Sequence, residues 1–175
     1  MKLAIFDKDG TLTAPASGAK FVQHPQDQIL LPGVAEGIAV MAADGWAIAI
    51  ASNQGGVAAG HKTLDEAIEE MRFAMQLTDI KLGLFCPDFE GNQCFAVDGI
   101  FALNIAAQGW GSNLKGIYRK PHSGMIEAPH RCLMSTHIEN PHNVLFVGDR
   151  PEDEQAAANA GVEFMWADQW RAQYV

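Results

Sequence analysis

Two carboxylates, Asp7 and Asp9, stand two residues apart in Asp7-Lys8-Asp9-Gly10-Thr11, directly after the apolar run Leu3-Ala4-Ile5-Phe6. Acids paired in this way where a buried strand ends can face one pocket. A carboxylate there can attack phosphorus and form an aspartyl phosphate. It can also hold Mg²⁺, a hard cation that takes oxygen ligands and usually binds one or two carboxylates plus substrate phosphate. Gly10 allows the backbone to turn sharply after the pair. Taken alone, the motif reads first as a solvated turn.

Three further clusters offer matching chemistry. Ser52 and Asn53 bring a hydroxyl and an amide, and Gly55 and Gly56 leave backbone N–H groups unobstructed, all suited to phosphate oxygens. Lys120, between Arg119 and Pro121, supplies a point charge that can offset phosphate and metal-site carboxylates. Asp149 and Asp153 lie in Gly148-Asp149-Arg150-Pro151-Glu152-Asp153. Asp153 also suits a helix N-terminus electrostatically, whereas Asp149 precedes the helix and has less need of that explanation.

The elements that must position these residues follow from the apolar pattern. Buried strands are expected at 3–6, 46–51, 82–85, 144–147 and 162–166, each a short apolar run. Helices are expected from Leu31-Pro32-Gly33-Val34 to about Ala43, ended at Asp44-Gly45, from the capping-box spacing Thr63-Leu64-Asp65-Glu66 to about Leu77, from about Ser123 with a distortion at Pro129, and from Glu152 to Ala160 with Gly161 as the stop. Residues 8–29 read as an irregular flap, and 86–119 as an irregular loop or insertion without a clear period. Strand–helix alternation predicts an α/β fold, a doubly wound, mostly parallel sheet in three layers. Ligands bind such sheets beyond the carboxyl ends of the strands, where each polar cluster falls. No internal repeat or linker divides the 175 residues, so one domain over 1–175 is expected.

Composition narrows the function. The net charge of −9 argues against a broad basic face for long nucleic acid, though not against an enzyme that touches one or two terminal nucleotides. Three cysteines do not make a disulfide framework. No apolar run approaches the roughly 20 residues that span a bilayer, and the N-terminal residues lack a signal-peptide pattern. A cytoplasmic location without membrane association is expected.

Together, in order, Asp7-Lys8-Asp9-Gly10-Thr11-Leu12, Ser52, Lys120 and Gly148-Asp149-Arg150-Pro151-Glu152-Asp153 resemble the haloacid dehalogenase (HAD) superfamily of phosphotransferases over nearly the whole chain. The resemblance implies a Rossmann-like fold and a Mg²⁺-dependent phosphatase. Asp7 would be the nucleophile and Asp9 the general acid, then base. Ser52 and Lys120 would hold the phosphoryl oxygens. Asp7, the Asp9 carbonyl and Asp149 would bind Mg²⁺ with support from Asp153, and Thr11 would steady the nucleophile loop. Asn53 and Arg119 join the expected substrate contacts.

Residues 52–60 and 118–125 resemble a subgroup with little or no cap domain, containing histidinol-phosphate, heptose bisphosphate and polynucleotide 3′-phosphatases. Specificity would then rest on residues 12–29 and 86–119. The resemblance brings a structural zinc loop into question. Cys86 and Cys94 occupy its place, but the further Cys-x-Cys pair is missing and a closed zinc site needs about four ligands, so two ordinary thiols are expected. His122 could line the pocket, while His24, His61, His130, His137 and His142 show no metal spacing. The substrate expected is a small phosphomonoester, of sugar phosphate or histidinol-phosphate type, or a 3′-phosphate nucleic-acid end. Two other readings are a phosphotransferase or mutase, disfavoured by the missing cap, and a phospho-accepting signalling domain of receiver type. The latter places its acceptor Asp mid-chain rather than at the end of the first strand. Oligomeric state is left open.

Overall fold

The computed structural model describes residues 2–108, 117–134 and 143–175. Five strands pair in parallel: β1 (Lys2–Phe6), β4 (Trp46–Asn53), β5 (Gly83–Cys86), β8 (Val144–Gly148) and β9 (Glu163–Trp166). Two short strands, β6 (Phe95–Val97) and β7 (Ala102–Asn104), extend the β5 edge in antiparallel fashion. The sheet order is β7-β6-β5-β4-β1-β8-β9. The stretch 86–119, read from sequence as an irregular loop or insertion, therefore holds a hairpin. Its strands are three residues each, too short to show a period of two. A second small hairpin, β2 (Thr13–Ala14) with β3 (Ile29–Leu30), forms the stem of the flap.

Alternation along each strand sends its side chains to two separate cores. On one face Ala4, Phe6, Ile50, Phe85 and Val147 meet α1 (Val34–Ala43), α2 (Leu64–Thr78) and α5 (Ala167–Arg171). On the other, Leu3, Ile5, Ala51, Leu84 and Phe146 meet α3 (Gly124–Met134) and α4 (Pro151–Ala160). Helix α1 presents Val34, Ile38 and Met41, one stripe at helical spacing. Gly37 on that helix has a reason to lack a side chain, because a Cβ there would come within 2.7 Å of the Trp170 ring. Trp170, fully buried, in turn packs edge-on to Phe6 with centroids 4.6 Å apart. Helix α2 carries the capping box foreseen from its sequence, with Glu66 N–H donating to Thr63 Oγ1 and Thr63 N–H to Glu66 Oε2. Helix α3 does contain Pro129.

β1 has β4 on one side and β8 on the other: the chain leaves β1 towards β4 and β5, then returns after α3 to add β8 and β9 on the opposite side. Its carboxyl end is the topological switch point, where a crevice opens in sheets of this kind.

Candidate active site

Asp7 follows β1 and keeps its backbone in register, donating from its N–H to Val147 O at 2.9 Å. The chain then folds tightly over Lys8: Leu12 and Thr13 N–H donate to the Lys8 carbonyl at 2.9 and 3.0 Å, and Gly10 N–H to Thr13 O at 2.9 Å. Gly10 sits at φ +82°, and a Cβ on it would fall inside the Asp149 carboxylate. Glycine is required here twice over, by conformation and by space. Gly148 is required by space alone, because a Cβ on it would overlap the Asp153 side chain.

Lys120 reaches in from the segment before α3 and is buried. Its ammonium donates to Asp7 Oδ1 at 2.6 Å and to Ala51 O at 3.0 Å, and pairs with Asp153 Oδ1 at 2.6 Å. Asp153, in the first turn of α4, receives the Asp149 and Arg150 N–H groups on Oδ2 at 3.2 and 3.1 Å. Asp149 is exposed at the mouth. One carboxylate oxygen from each of Asp7, Asp149 and Asp153 lies within 4.8 Å of the others. When ionised, these three acids and the Lys120 ammonium leave two negative charges. An all-oxygen donor set with that charge suits a divalent hard cation, so the residues fit Mg²⁺.

The electrostatics are severe. Burial pushes the Asp7 carboxyl up to about 7, with Lys120 opposing and Asp153 and Asp9 adding to the rise. A bound cation would favour its carboxylate form. Burial also raises Asp149, helped by Asp153 and resisted by Arg150 and Lys120. Burial alone would lower Lys120, but Asp7 and Asp153 more than offset it and hold the ammonium above its ordinary value. Asp9 behaves oppositely to Asp7. Burial acts to raise it, yet the Lys8 ammonium, with Lys62 and the Gln54 amide behind it, keeps it below the ordinary carboxylate value.

The remaining expected site residues are placed as follows. Thr11, buried, donates from Oγ1 to Asp7 Oδ2 at 3.5 Å. Ser52 is buried and accepts from Gln54 Nε2 at 2.9 Å. Asn53 is engaged with the Lys120 backbone. Its Nδ2 donates to Lys120 O at 2.9 Å and its Oδ1 accepts from Lys120 N–H at 3.0 Å. Both ends of the amide thus hold the Lys120 backbone, and the second Nδ2 hydrogen is left for a further acceptor. Arg119 stacks over the exposed Phe89 ring at 5.4 Å, at the rim of the Gly55 loop. His122 is exposed, and His137 and His142 lie outside the described residues. Cys86 and Cys94 are buried, and Cys86 Sγ donates to Asp88 Oδ1 at 3.1 Å. Burial raises the Cys86 thiol to about 12 and Cys94 well above its ordinary value.

Four residues escaped the sequence reading. Lys8, Lys62 and Glu70 meet around Asp9, and Arg171 donates from Nη1 to the Gly10 and Thr11 carbonyls at 3.0 and 2.9 Å. Glu70 left a signal: it interrupts the buried stripe Ala67, Met71, Ala74, Met75, Thr78 of α2. A carboxylate on an apolar face calls for a buried partner.

Comparison with known proteins gives a consistent answer. The family model described as polynucleotide kinase 3 phosphatase matches residues 2–174. The D-glycero-beta-D-manno-heptose-1,7-bisphosphate 7-phosphatase of Bordetella bronchiseptica is 30% identical, over 92% of this chain and 77% of its own. The enzyme of that name from Pseudomonas putida is 25% identical, over 93% and 80%. Among solved structures, the B. bronchiseptica D,D-heptose 1,7-bisphosphate phosphatase, complexed with magnesium and phosphate, superposes with a TM-score of 0.64 at 26% identity, covering 99% of this chain and 87% of that one. A HAD-superfamily hydrolase from Ehrlichia chaffeensis, at 15% identity and a TM-score of 0.53 over 95% and 87%, shares the fold.

Proposed function

Since the chain belongs to the polynucleotide kinase 3 phosphatase family, a capless group of HAD-superfamily phosphatases, we propose that it hydrolyses a small phosphomonoester, of the sugar phosphate class, through a phospho-aspartate on Asp7. The observation that carries this reading is the position of Asp7. Its carboxylate lies at the switch point, held by Lys120 at 2.6 Å, with the Asp149 and Asp153 oxygens within 4.8 Å.

In the first half-reaction an Asp7 oxygen attacks phosphorus, the bond to the leaving oxygen breaks, and Asp9 gives that oxygen a proton. In the second, water attacks the same phosphorus, Asp9 takes its proton, and inorganic phosphate leaves as Asp7 regains its carboxylate. Lys120 neutralises phosphoryl charge, and the Ser52 hydroxyl and the Gly55–Gly56 N–H groups donate hydrogen bonds to the phosphoryl oxygens. Phosphoryl transfer depends mainly on such positioning and charge stabilisation. Mg²⁺, held by Asp7, the Asp9 carbonyl and Asp149 with Asp153 behind them, would supply charge neutralisation at the phosphoryl oxygens. The sugar phosphate class is supported by the heptose bisphosphate phosphatases to which the chain is similar. A 3′-phosphate end is the second reading, favoured by the family match and the Arg119–Phe89 stack, where a base could lie.

The test is phosphate release from sugar bisphosphates, histidinol phosphate, nucleotides and a 3′-phosphorylated oligonucleotide, with Mg²⁺ or EDTA, for wild type and Asp7→Asn. Release that needs Mg²⁺ and disappears in Asp7→Asn is expected, with a sugar bisphosphate best. Full activity in Asp7→Asn would remove Asp7 from the role.

A further inference from the structure

Asp9 does not stand free at the end of its loop. Lys8 Nζ approaches Asp9 Oδ1 at 2.5 Å and Glu70 Oε1 at 2.7 Å. The other Glu70 oxygen pairs with Lys62. Lys62 Nζ donates to Gln54 Oε1 at 3.1 Å, and Gln54 Nε2 donates to Asp9 Oδ2 at 3.2 Å. The contacts close a ring that starts on one Asp9 oxygen and returns to the other. Gln28, at the base of the flap, adds its Oε1 to Lys8 at 3.3 Å and donates from Nε2 to the Glu70 carbonyl at 3.0 Å.

Two features set this ring apart from ordinary core packing. First, it is charge-balanced, with two ammoniums and two carboxylates. It is also deeply buried at Lys8, Glu70 and Gln54, while the Asp9 side chain keeps 42% of its surface. Buried ion pairs contribute little net stability compared with apolar side chains of the same volume, so stability alone does not account for four polar groups there. Second, Gln54 Nε2 also donates to Ser52 Oγ at 2.9 Å, so the ring holds Asp9 Oδ2 in register with the hydroxyl assigned to phosphate.

We infer that the Lys8–Glu70–Lys62–Gln54 ring positions the Asp9 carboxyl group for proton transfer to the leaving oxygen, Lys8 fixing Oδ1 and Gln54 aiming Oδ2. This rests on the role given to Asp9 above. The ring's effect is on orientation rather than acidity. Lys8 and Gln54 favour the carboxylate that acts as base in the second half-reaction. In the first, a protonated Oδ2 can still accept from Gln54 on a lone pair and donate to the ester oxygen, so the ring need not open for either transfer. Glu70 and Lys62 act through Lys8 and Gln54, Gln54 acts on both Asp9 Oδ2 and the Ser52 hydroxyl, and Lys8 serves as the pivot.

The experiment compares kcat/KM for p-nitrophenyl phosphate, whose leaving group departs without a proton, and for an alkyl phosphate, whose leaving group needs one. Because kcat/KM covers only the steps through transfer to Asp7, water attack does not enter. The variants are Asp9→Asn, Gln54→Met, Lys62→Met and Glu70→Gln. A variant that merely folds less well lowers both substrates by one factor and leaves their ratio unchanged. The expected result is a shift of the ratio towards p-nitrophenyl phosphate, on the order of a hundredfold in Asp9→Asn, the lower end of the range for general acid catalysis, and on the order of tenfold in the ring variants, which keep Asp9 itself. A shift in Asp9→Asn with none in Gln54→Met and Lys62→Met would overturn the ring alone. No shift in Asp9→Asn would overturn the role of Asp9, and the ring with it. Gln54→Met is neutral and Lys62 keeps 19% side-chain exposure, so these two variants decide the matter if Glu70→Gln does not fold.

Discussion

At the scale of single residues, several side chains at the crevice hold other side chains or backbone in place. Asn53 is the clearest case, because its amide closes two hydrogen bonds on the backbone of Lys120. Asn53→Ala should cost about 1–3 kcal/mol of stability, since it leaves buried backbone groups unpaired. It should also lower kcat by displacing the Lys120 ammonium from Asp7. Thermal unfolding beside steady-state kinetics checks this; a raised KM with unchanged Tm and kcat would return Asn53 to the phosphate. Gly10 gives a sharper prediction. Gly10→Ala forces a Cβ into the Asp149 carboxylate at a positive φ, so Mg²⁺ affinity measured by calorimetry should fall at least tenfold, with the fold retained at low temperature.

At the scale of elements, α2 and α5 hold the loop after Asp7 from outside, through Glu70 and Arg171. Helix α2 starts at a complete capping box, and losing an N-cap hydroxyl costs about 1 kcal/mol. Thr63→Ala should therefore lower Tm by about 2–4 °C for a domain of this size. Helix α5 is short, five residues, and its sequence shows no period. Yet Trp170 fills the gap between Gly37 and Phe6, while Arg171 clamps the Gly10 and Thr11 carbonyls. Trp170→Ala should cost about 3–5 kcal/mol through the cavity it leaves, readable by denaturant titration, and should weaken activity through the loop that Arg171 holds.

At the scale of the whole molecule, the sheet separates two cores and buries a thiol pair in one of them. The thiolate is the reactive form, and a thiol at about 12, as at Cys86, is almost wholly protonated at pH 8. Alkylation with iodoacetamide at pH 8 should label Cys132, which is only half-buried, well before Cys86 and Cys94. The buried pair should react only as the domain unfolds, which mass spectrometry along a urea series would show.

What the sequence determined by itself was local in origin. Apolar runs ending in polar clusters marked the parallel strands, and Thr63, Gly161 and the Asp44–Gly45 break marked helix ends. The order of Asp7, Ser52, Lys120 and Asp149 was enough to indicate the superfamily, and the structure brings those residues to one crevice because each follows or borders a strand end. The tertiary structure alone decided the rest. The hairpin of β6 and β7 draws its stability from the edge of β5, not from its own few residues. Asn53 and Lys120, 67 positions apart, become partners only when β4 and the segment before α3 meet. Lys8 and Glu70 look like a surface cation and a helix-surface acid until the sheet and α2 close over them. Removed from water, each must find an opposite charge, and the one within reach leads to Asp9.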